Sequence, residues 1–163
     1  MSNSIKITNR STETIVQESG EQIPLFFQNM VPNTFKKDEK LSSQKIIGEI
    51  FLSGNTFICY PLKVIWINNV IITGPYDAIA AFSVPKKNFK KAHERNHIRR
   101  KMRESYRYLK NNFYDFLKKT GQKIALIIVF IGKEDISSDQ IKSAMIKSLD
   151  RLQRDIIKSK GTF

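Results

Sequence analysis

The chain has 163 residues, 40% of them hydrophobic, with a net charge of +13 and a pI near 9.9. That length suits one domain of ordinary size plus a tail, and so basic a balance implies a nucleic acid or an anionic membrane surface as partner. One cysteine, Cys59, excludes an intramolecular disulfide, no run approaches the ~20 apolar residues of a membrane span, and the N-terminus lacks a signal-peptide pattern, so the expectation is a soluble cytoplasmic protein with no membrane partner.

Residues 1–33 are polar through Gln22, then carry a short apolar patch, Ile23 to Phe27, with Pro24 and Pro32 beside it. They read as a flexible N-terminal extension, and the domain as residues 34–163. Ser42 or Ser43 can cap a short helix with Ile46, Ile47, Ile50 and Phe51 on one face, stopped by Gly54. Phe57 to Ile67 is rich in β-branched and aromatic residues and reads as strand. Pro61 cannot donate to a ladder, so it marks a bulge, an edge or a break into two short strands. Asn68 to Asp77 carries turn signals, although Val70 to Thr73 could pair briefly. Ala78 to Val84 is a further strand region.

A long helix is predicted from about Glu94 to Lys118. At ~100° per residue, Ile98, Met102, Leu109, Phe113 and Phe116 share one arc. Arg99, Arg100, Arg103, Arg107 and Lys110 share the neighbouring one, which should face solvent. Thr120-Gly121 closes the helix. Ile124 to Ile131 is a continuous apolar run, hence a buried strand. Ser137 or Ser138 caps a last amphipathic helix using Ile141, Met145, Leu149, Leu152 and Ile156. The order is α-β-β-β-α-β-α, an α+β domain with helices packed on one sheet in two layers.

From Lys86 to Lys110 the chain packs 11 Lys/Arg against Glu94 and Glu104, holding +9 of its +13. Arg95, Arg99 and Arg103 at i, i+4 and i+8 form a ridge spaced to meet successive phosphates, and the planar guanidinium donates bidentately. A solvated basic face is the plain alternative, but such faces usually mix signs. Like charges at i, i+4 cost ~0.2–0.5 kcal/mol per pair, so several unrelieved pairs point to an absent polyanion. Nothing resembling the first helix of a helix-turn-helix precedes this segment, which disfavours DNA reading.

His93-Glu94-Arg95-Asn96-His97 also spells the H-E-x-x-H pattern, which on a helix puts two imidazoles on one face to hold zinc. These are the chain's only histidines, so a third ligand would have to be Asp115, Glu134 or Cys59. The surrounding lysines and arginines disfavour a dication. The metal reading therefore ranks far below the RNA reading, and no protein-bound metal or organic cofactor is expected.

Lys86-Lys87, Lys90-Lys91-Ala92-His93-Glu94-Arg95-Asn96, Ile98-Arg99-Arg100 and Arg103-Glu104 together resemble the Arg-Asn-Arg box of the bacterial ribonuclease P protein component. The resemblance covers about Thr34 to Ile156, including Phe35-Lys36-Lys37 to Leu41, Phe51, Gly54 and Phe57, and the order of elements. There are departures: His97 stands where the box has its second arginine, Ile47 where the first helix often has an aromatic, Pro85 precedes the lysine pair, and the N-terminal extension is long.

The resemblance implies the protein subunit of a ribonucleoprotein that removes the 5′ leader from precursor tRNA, with no further protein partner required. It implies a catalytic RNA that supplies the active site and its Mg²⁺, so no residue of this chain is catalytic; the protein lowers the Mg²⁺ requirement. It assigns contact with the catalytic RNA to Lys86, Lys87, Lys90, Lys91, Arg95, Asn96, His97, Arg99, Arg100, Arg103 and Arg107. It implies a cleft between the first helix and the sheet for the single-stranded leader, for which Phe51, Phe57, Tyr60 and Lys63 are candidates, because aromatics stack on unpaired bases at ~1–3 kcal/mol each. It also implies a four-stranded mixed sheet with a left-handed βαβ crossover, against the usual right-handed rule. A general RNA-binding or ribosomal protein is the alternative, separated by whether a precursor is preferred to mature tRNA.

Overall fold

A computed structural model describes residues 34–160. The extension expected over 1–33, with its apolar patch, lies outside the described residues. A short 3-10 turn, Lys37–Glu39, precedes the first helix; it is an addition to the elements read from the sequence.

Helix α1 (Gln44–Ser53) begins where Ser43 Oγ accepts the Ile46 N–H at 3.5 Å. It ends at Gly54, which is extended rather than left-handed; a Cβ there would collide with the Ile50 carbonyl. Strands β1 (Asn55–Cys59) and β2 (Leu62–Asn68) pair antiparallel, and the cis Tyr60-Pro61 bond lies between them. Pro61 thus splits the apolar run into two strands. Val70 and Ile72 form no strand among the described residues and instead bury their side chains. Strand β3 (Ala78–Ser83) follows, then helix α2 (Ala92–Thr120), strand β4 (Ile124–Phe130) and helix α3 (Ser138–Lys160). α2 ends at Gly121, whose φ of 65° is open to glycine at little cost. Ser137 Oγ caps α3 by accepting the Gln140 N–H at 3.2 Å.

The sheet runs β1-β2-β4-β3, with β2 and β4 antiparallel and β3 and β4 parallel. It is mixed and four-stranded, and the domain is α+β. The parallel pair is joined by α2, the crossover to which the resemblance assigns a left hand.

Strand alternation sends Leu62, Val64, Trp66, Leu126, Ile128 and their neighbours to one face, where α2 and α3 cover them. Ile65, Ile79, Ala125 and Ile127 point the other way, into a smaller cluster with Leu41, Ile50, Val70 and Ile72. The two long helices therefore form the main helical layer, while α1 covers only part of the opposite face.

Lys110 departs from the sequence reading. Instead of joining the solvent-facing basic arc it is buried, with its Nζ 2.7 and 2.6 Å from the two carboxylate oxygens of Glu39 and 3.0 Å from the Thr34 carbonyl. The Tyr114 hydroxyl donates to Glu39 Oε2 at 2.9 Å, and the Lys36 N–H donates to Glu39 Oε1 at 3.2 Å. Lys110 falls within the basic arc, between Arg99 and Arg103 in angle, so its burial comes from what it meets: the 3-10 turn delivers a buried carboxylate to that side. Phe35 packs edge-on against Phe82 and Tyr106, which closes the same corner.

Burial raises the Tyr106 and Tyr114 phenols well above the usual tyrosine range; for Tyr114, the neighbouring Tyr106 and the Glu39 charge add to it.

Replacing Lys110 by Met strands the Glu39 carboxylate in the interior and should cost about 3–5 kcal/mol in a urea titration. Lys119→Met at the exposed end of α2 should stay within about 0.5 kcal/mol. Equal, small losses for both would remove the ion pair from its structural role. The raised phenols predict a pH dependence as well. Their contribution is complete below the unfolded tyrosine value of about 10 and is lost as pH climbs above it. Alkaline destabilisation should be smaller in Tyr106→Phe than in the parent.

Candidate nucleic-acid interface

The basic segment starts as a loop after β3 and continues into α2. Three contacts fix the loop. Phe89 is buried with its ring centroid 5.9 Å from that of Phe130. Asn88 Nδ2 donates to the Ile131 and Gly132 carbonyls at 3.3 and 3.1 Å. Arg95 Nη1 donates to the Phe89 and Lys90 carbonyls at 2.8 and 2.7 Å. The lysines of the loop are thereby presented from a fixed backbone: Lys86, Lys87, Lys90 and Lys91 are all exposed.

On α2 the cations divide by what they touch. Asn96, Arg100 and Arg103 are exposed, and Arg99 is half-buried with its Nε out of contact with solvent and without an acceptor. Arg107 pairs with Glu104 at 2.6 Å, with its guanidinium 5.1 Å from the Tyr108 ring centroid. His97 Nε2 lies 3.6 Å from Asp135 Oδ2, and Lys101 Nζ donates to both oxygens of that carboxylate, at 2.9 and 3.1 Å, and to the Ile136 carbonyl at 2.9 Å. Asp135 thus ties the β4–α3 loop to the helix. The Arg95, Arg99, Arg103 ridge read from the spacing is present, but Arg95 is partly committed to holding the loop.

His93 and Glu94 lie in the first turn of α2 and His97 in the second. Among the described residues, no group of three or more His, Cys, Asp or Glu side chains is placed to hold a metal ion.

The four leader-cleft candidates separate. Lys63 lies on the α1 face of β2, in one row with Ile58 and Val129, its cross-strand partners. Phe51 is 64% exposed at the end of α1, and Tyr60 is 72% exposed in the β1–β2 turn. Phe57 does not belong with them. Alternation along β1 turns it to the α2–α3 side, where it is 5% exposed with the Arg151 guanidinium 4.9 Å from its ring centroid. Ile58, 53% exposed on the α1 face, is a residue that sequence reading missed. A β-branched strand residue looks like core until its neighbours are known; only its opposite parity to Phe57 could have flagged it.

An α+β sheet that fixes a helix with an outward array of cations, and a sheet face left partly open beside a short helix, define a small protein built to work against a polyanion. The sequence model of the ribonuclease P family matches residues 35–153. Two Porphyromonas gingivalis proteins, each described as a ribonuclease P protein component, are 33% identical over 127 residues, which is 77% of this chain and 92% of theirs. The ribonuclease P protein of Staphylococcus aureus superposes with a TM-score of 0.56 at 19% identity, covering 70% of this chain and 94% of that one. That of Thermotoga maritima gives 0.52 at 18%, covering 69% and 96%. At those identities the likeness to the solved structures is one of fold.

The chain belongs to the ribonuclease P protein family. It is the protein subunit of a ribonuclease P holoenzyme, the endonuclease that removes the 5′ leader from precursor tRNA, and it associates with ribonuclease P RNA and the tRNA substrate. Among the described residues, no helix is long and apolar enough to cross a membrane.

Truncating Phe57 to Ala should cost about 3–5 kcal/mol, as for a core aromatic. Tyr60→Ala should change stability by no more than about 0.5 kcal/mol. Thermal or chemical denaturation of the two variants checks the assignment of Phe57 to the core; a neutral Phe57→Ala would return it to the cleft.

Proposed function

We propose that Lys86, Lys87, Lys90, Lys91, Asn96, Arg99, Arg100 and Arg103 contact the backbone of the catalytic RNA, with Arg95, His97 and Arg107 contributing from positions partly held by protein partners. The observation that carries this reading is the division on α2. Acids are drawn to Lys101, Arg107 and Lys110, while Arg100 and Arg103 stay exposed beside the loop lysines. Cations gathered on a fixed scaffold bind phosphates with little ordering cost. Neutralising phosphates on a folded RNA also lowers the divalent cation needed to hold it.

Phe51, Tyr60 and Lys63, on or beside the α1 face, would receive the single-stranded leader. Stacking and phosphate contact tolerate sequence variation, which suits a subunit that serves many precursors. The Mg²⁺ of the reaction would be held by the RNA; the described residues supply no carboxylate cluster for it. On this reading the chain breaks no bond. Its residues position RNA, screen phosphate repulsion and leave hydrolysis to the RNA subunit. The family match begins at residue 35, which supports reading residues 34–163 as the functional domain and 1–33 as an extension. A reducing, RNA-containing compartment such as the cytoplasm fits the lone Cys59.

The direct test is cleavage of precursor tRNA by the cognate ribonuclease P RNA at low Mg²⁺, with and without the protein. Addition should restore 5′-leader removal. Affinity for the RNA should fall steeply with salt, and Arg103→Glu should weaken binding and lower the slope of log K against log salt by about 1. Salt-independent binding, or a protein that binds RNA yet leaves cleavage unchanged, would favour a general RNA-binding role.

A further inference from the structure

The outward face of α3 carries a second basic ridge. Lys147, Arg151, Arg154 and Lys158 are all exposed, and steps of 4, 3 and 4 residues place them within about 60° of arc at 100° per residue. They span about 16 Å along the axis. No acid falls inside that arc; Asp150 and Asp155 flank it. Like charges at these spacings repel; Asp155 meets Arg151 at one side of the row, while Lys147 and Arg154 stay exposed along it. Arg151 is the anchored member. Its Nη1 donates to the Ile58 carbonyl at 3.4 Å, its guanidinium sits over Phe57, and its Nε is 3.9 Å from Asp155. Arg154 Nε donates to the Asp150 carbonyl at 3.4 Å.

The ridge lies away from the α2 box. α3 packs on β1 and β2, whereas α2 packs on β3, and Lys86 and Lys87 follow β3. β1 and β3 are the two edges of the sheet, about 14 Å apart. At its C-terminal end the ridge meets a surface cavity of about 280 Å³, lined by Asn55, Thr56, Trp66, Lys158 and Ser159, with Phe57 and Asp155 completing the wall. Trp66 is 2% exposed, and its indole N–H is buried without an acceptor among the described residues. Lys158 and the Trp66 ring on that wall offer a charge and an aromatic surface to an RNA group entering the cavity.

We infer that the α3 ridge and its terminal cavity form a second RNA backbone contact besides the box, distinct from the leader face, one that takes a phosphodiester backbone along Lys147, Arg151 and Arg154 and a further RNA group in the cavity beside Lys158 and Trp66. The inference rests on the ribonuclease P reading above. It has the subunit holding RNA on both flanks of its helical layer, in addition to the leader at the α1 face. The same backbone chemistry is offered by the catalytic RNA and by the precursor, and the two arms of the test tell them apart.

The experiment uses the full chain with the double change Lys147→Glu and Arg154→Glu, which spares the packed Arg151. Binding of the cognate catalytic RNA by the protein, and of precursor tRNA by the reconstituted holoenzyme, are measured across a salt series. Arg103→Glu is run alongside. For one of the two RNAs, the double variant should raise Kd about tenfold or more and lower the salt slope by about 2; the RNA affected identifies the source. Trp66 is the chain's only tryptophan, so its emission reports on the cavity. RNA should shift that emission in the parent and not in the double variant. Should the double Glu variant fail to fold, Lys147→Gln with Arg154→Gln gives the same comparison, with a smaller rise in Kd. Both Kd values and both slopes unchanged, while Arg103→Glu weakens binding, would overturn the second contact and leave the box intact. If the double variant weakens binding and Arg103→Glu does not, the ridge stands and the box reading falls.

Discussion

Burial of Ile98, Met102, Tyr106, Leu109, Phe113 and Leu117 against the sheet holds α2 in one rotation. Everything functional about the helix follows from that angle. A helix free to turn would present those cations in any direction. A helix locked by six large side chains must present Arg100 and Arg103 to one side whether or not an anion is there. The self-repulsion this builds in is small beside the apolar area buried: each fully buried side chain contributes about 1.5–3 kcal/mol, against a few tenths for each like-charge pair.

The buried Glu39–Lys110 pair acts at the point where the described chain begins. Lys110 also binds the Thr34 carbonyl, and the Tyr114 phenol completes the carboxylate's partners. Burying two charges seldom adds net stability over an apolar pair, but once both are inside neither can be left alone. The network therefore specifies where the segment before α1 lies against α2. Leu41 continues that register by donating its N–H to the Ala80 carbonyl at 3.0 Å, which covers the outer edge of β3.

Cations of the box are divided between two duties. Arg95 stitches the basic loop to the helix, and Lys101 with His97 meets Asp135 of the following loop. Their partners are protein groups, so they shape the surface on which the remaining cations stand. His97, at the box position where the resemblance expects an arginine, is one of the residues facing that exposed carboxylate. An imidazole reaches less far than a guanidinium, which fits a position already served by a neighbour.

Much of the architecture was written into local patterns. Of the two serines the sequence offered at each helix start, Ser43 and Ser137 form the caps, Pro61 takes the strand-splitting option among those open to it, and the 3.6-residue period separates the apolar and basic arcs of α2. The resemblance in Lys86 to Glu104 was legible because it depends on residue types at short spacings. What the sequence could not decide was which groups from far along the chain arrive beside those arcs. Glu39 is 71 residues from Lys110, and Asp135 is 34 from Lys101. Periodicity sets the angle at which a side chain leaves its helix, but not what it meets there. Hence Lys110 moved from surface to core, Arg95 became partly structural, and Phe57 turned away from Lys63 once β1 and β2 were two strands in a definite register.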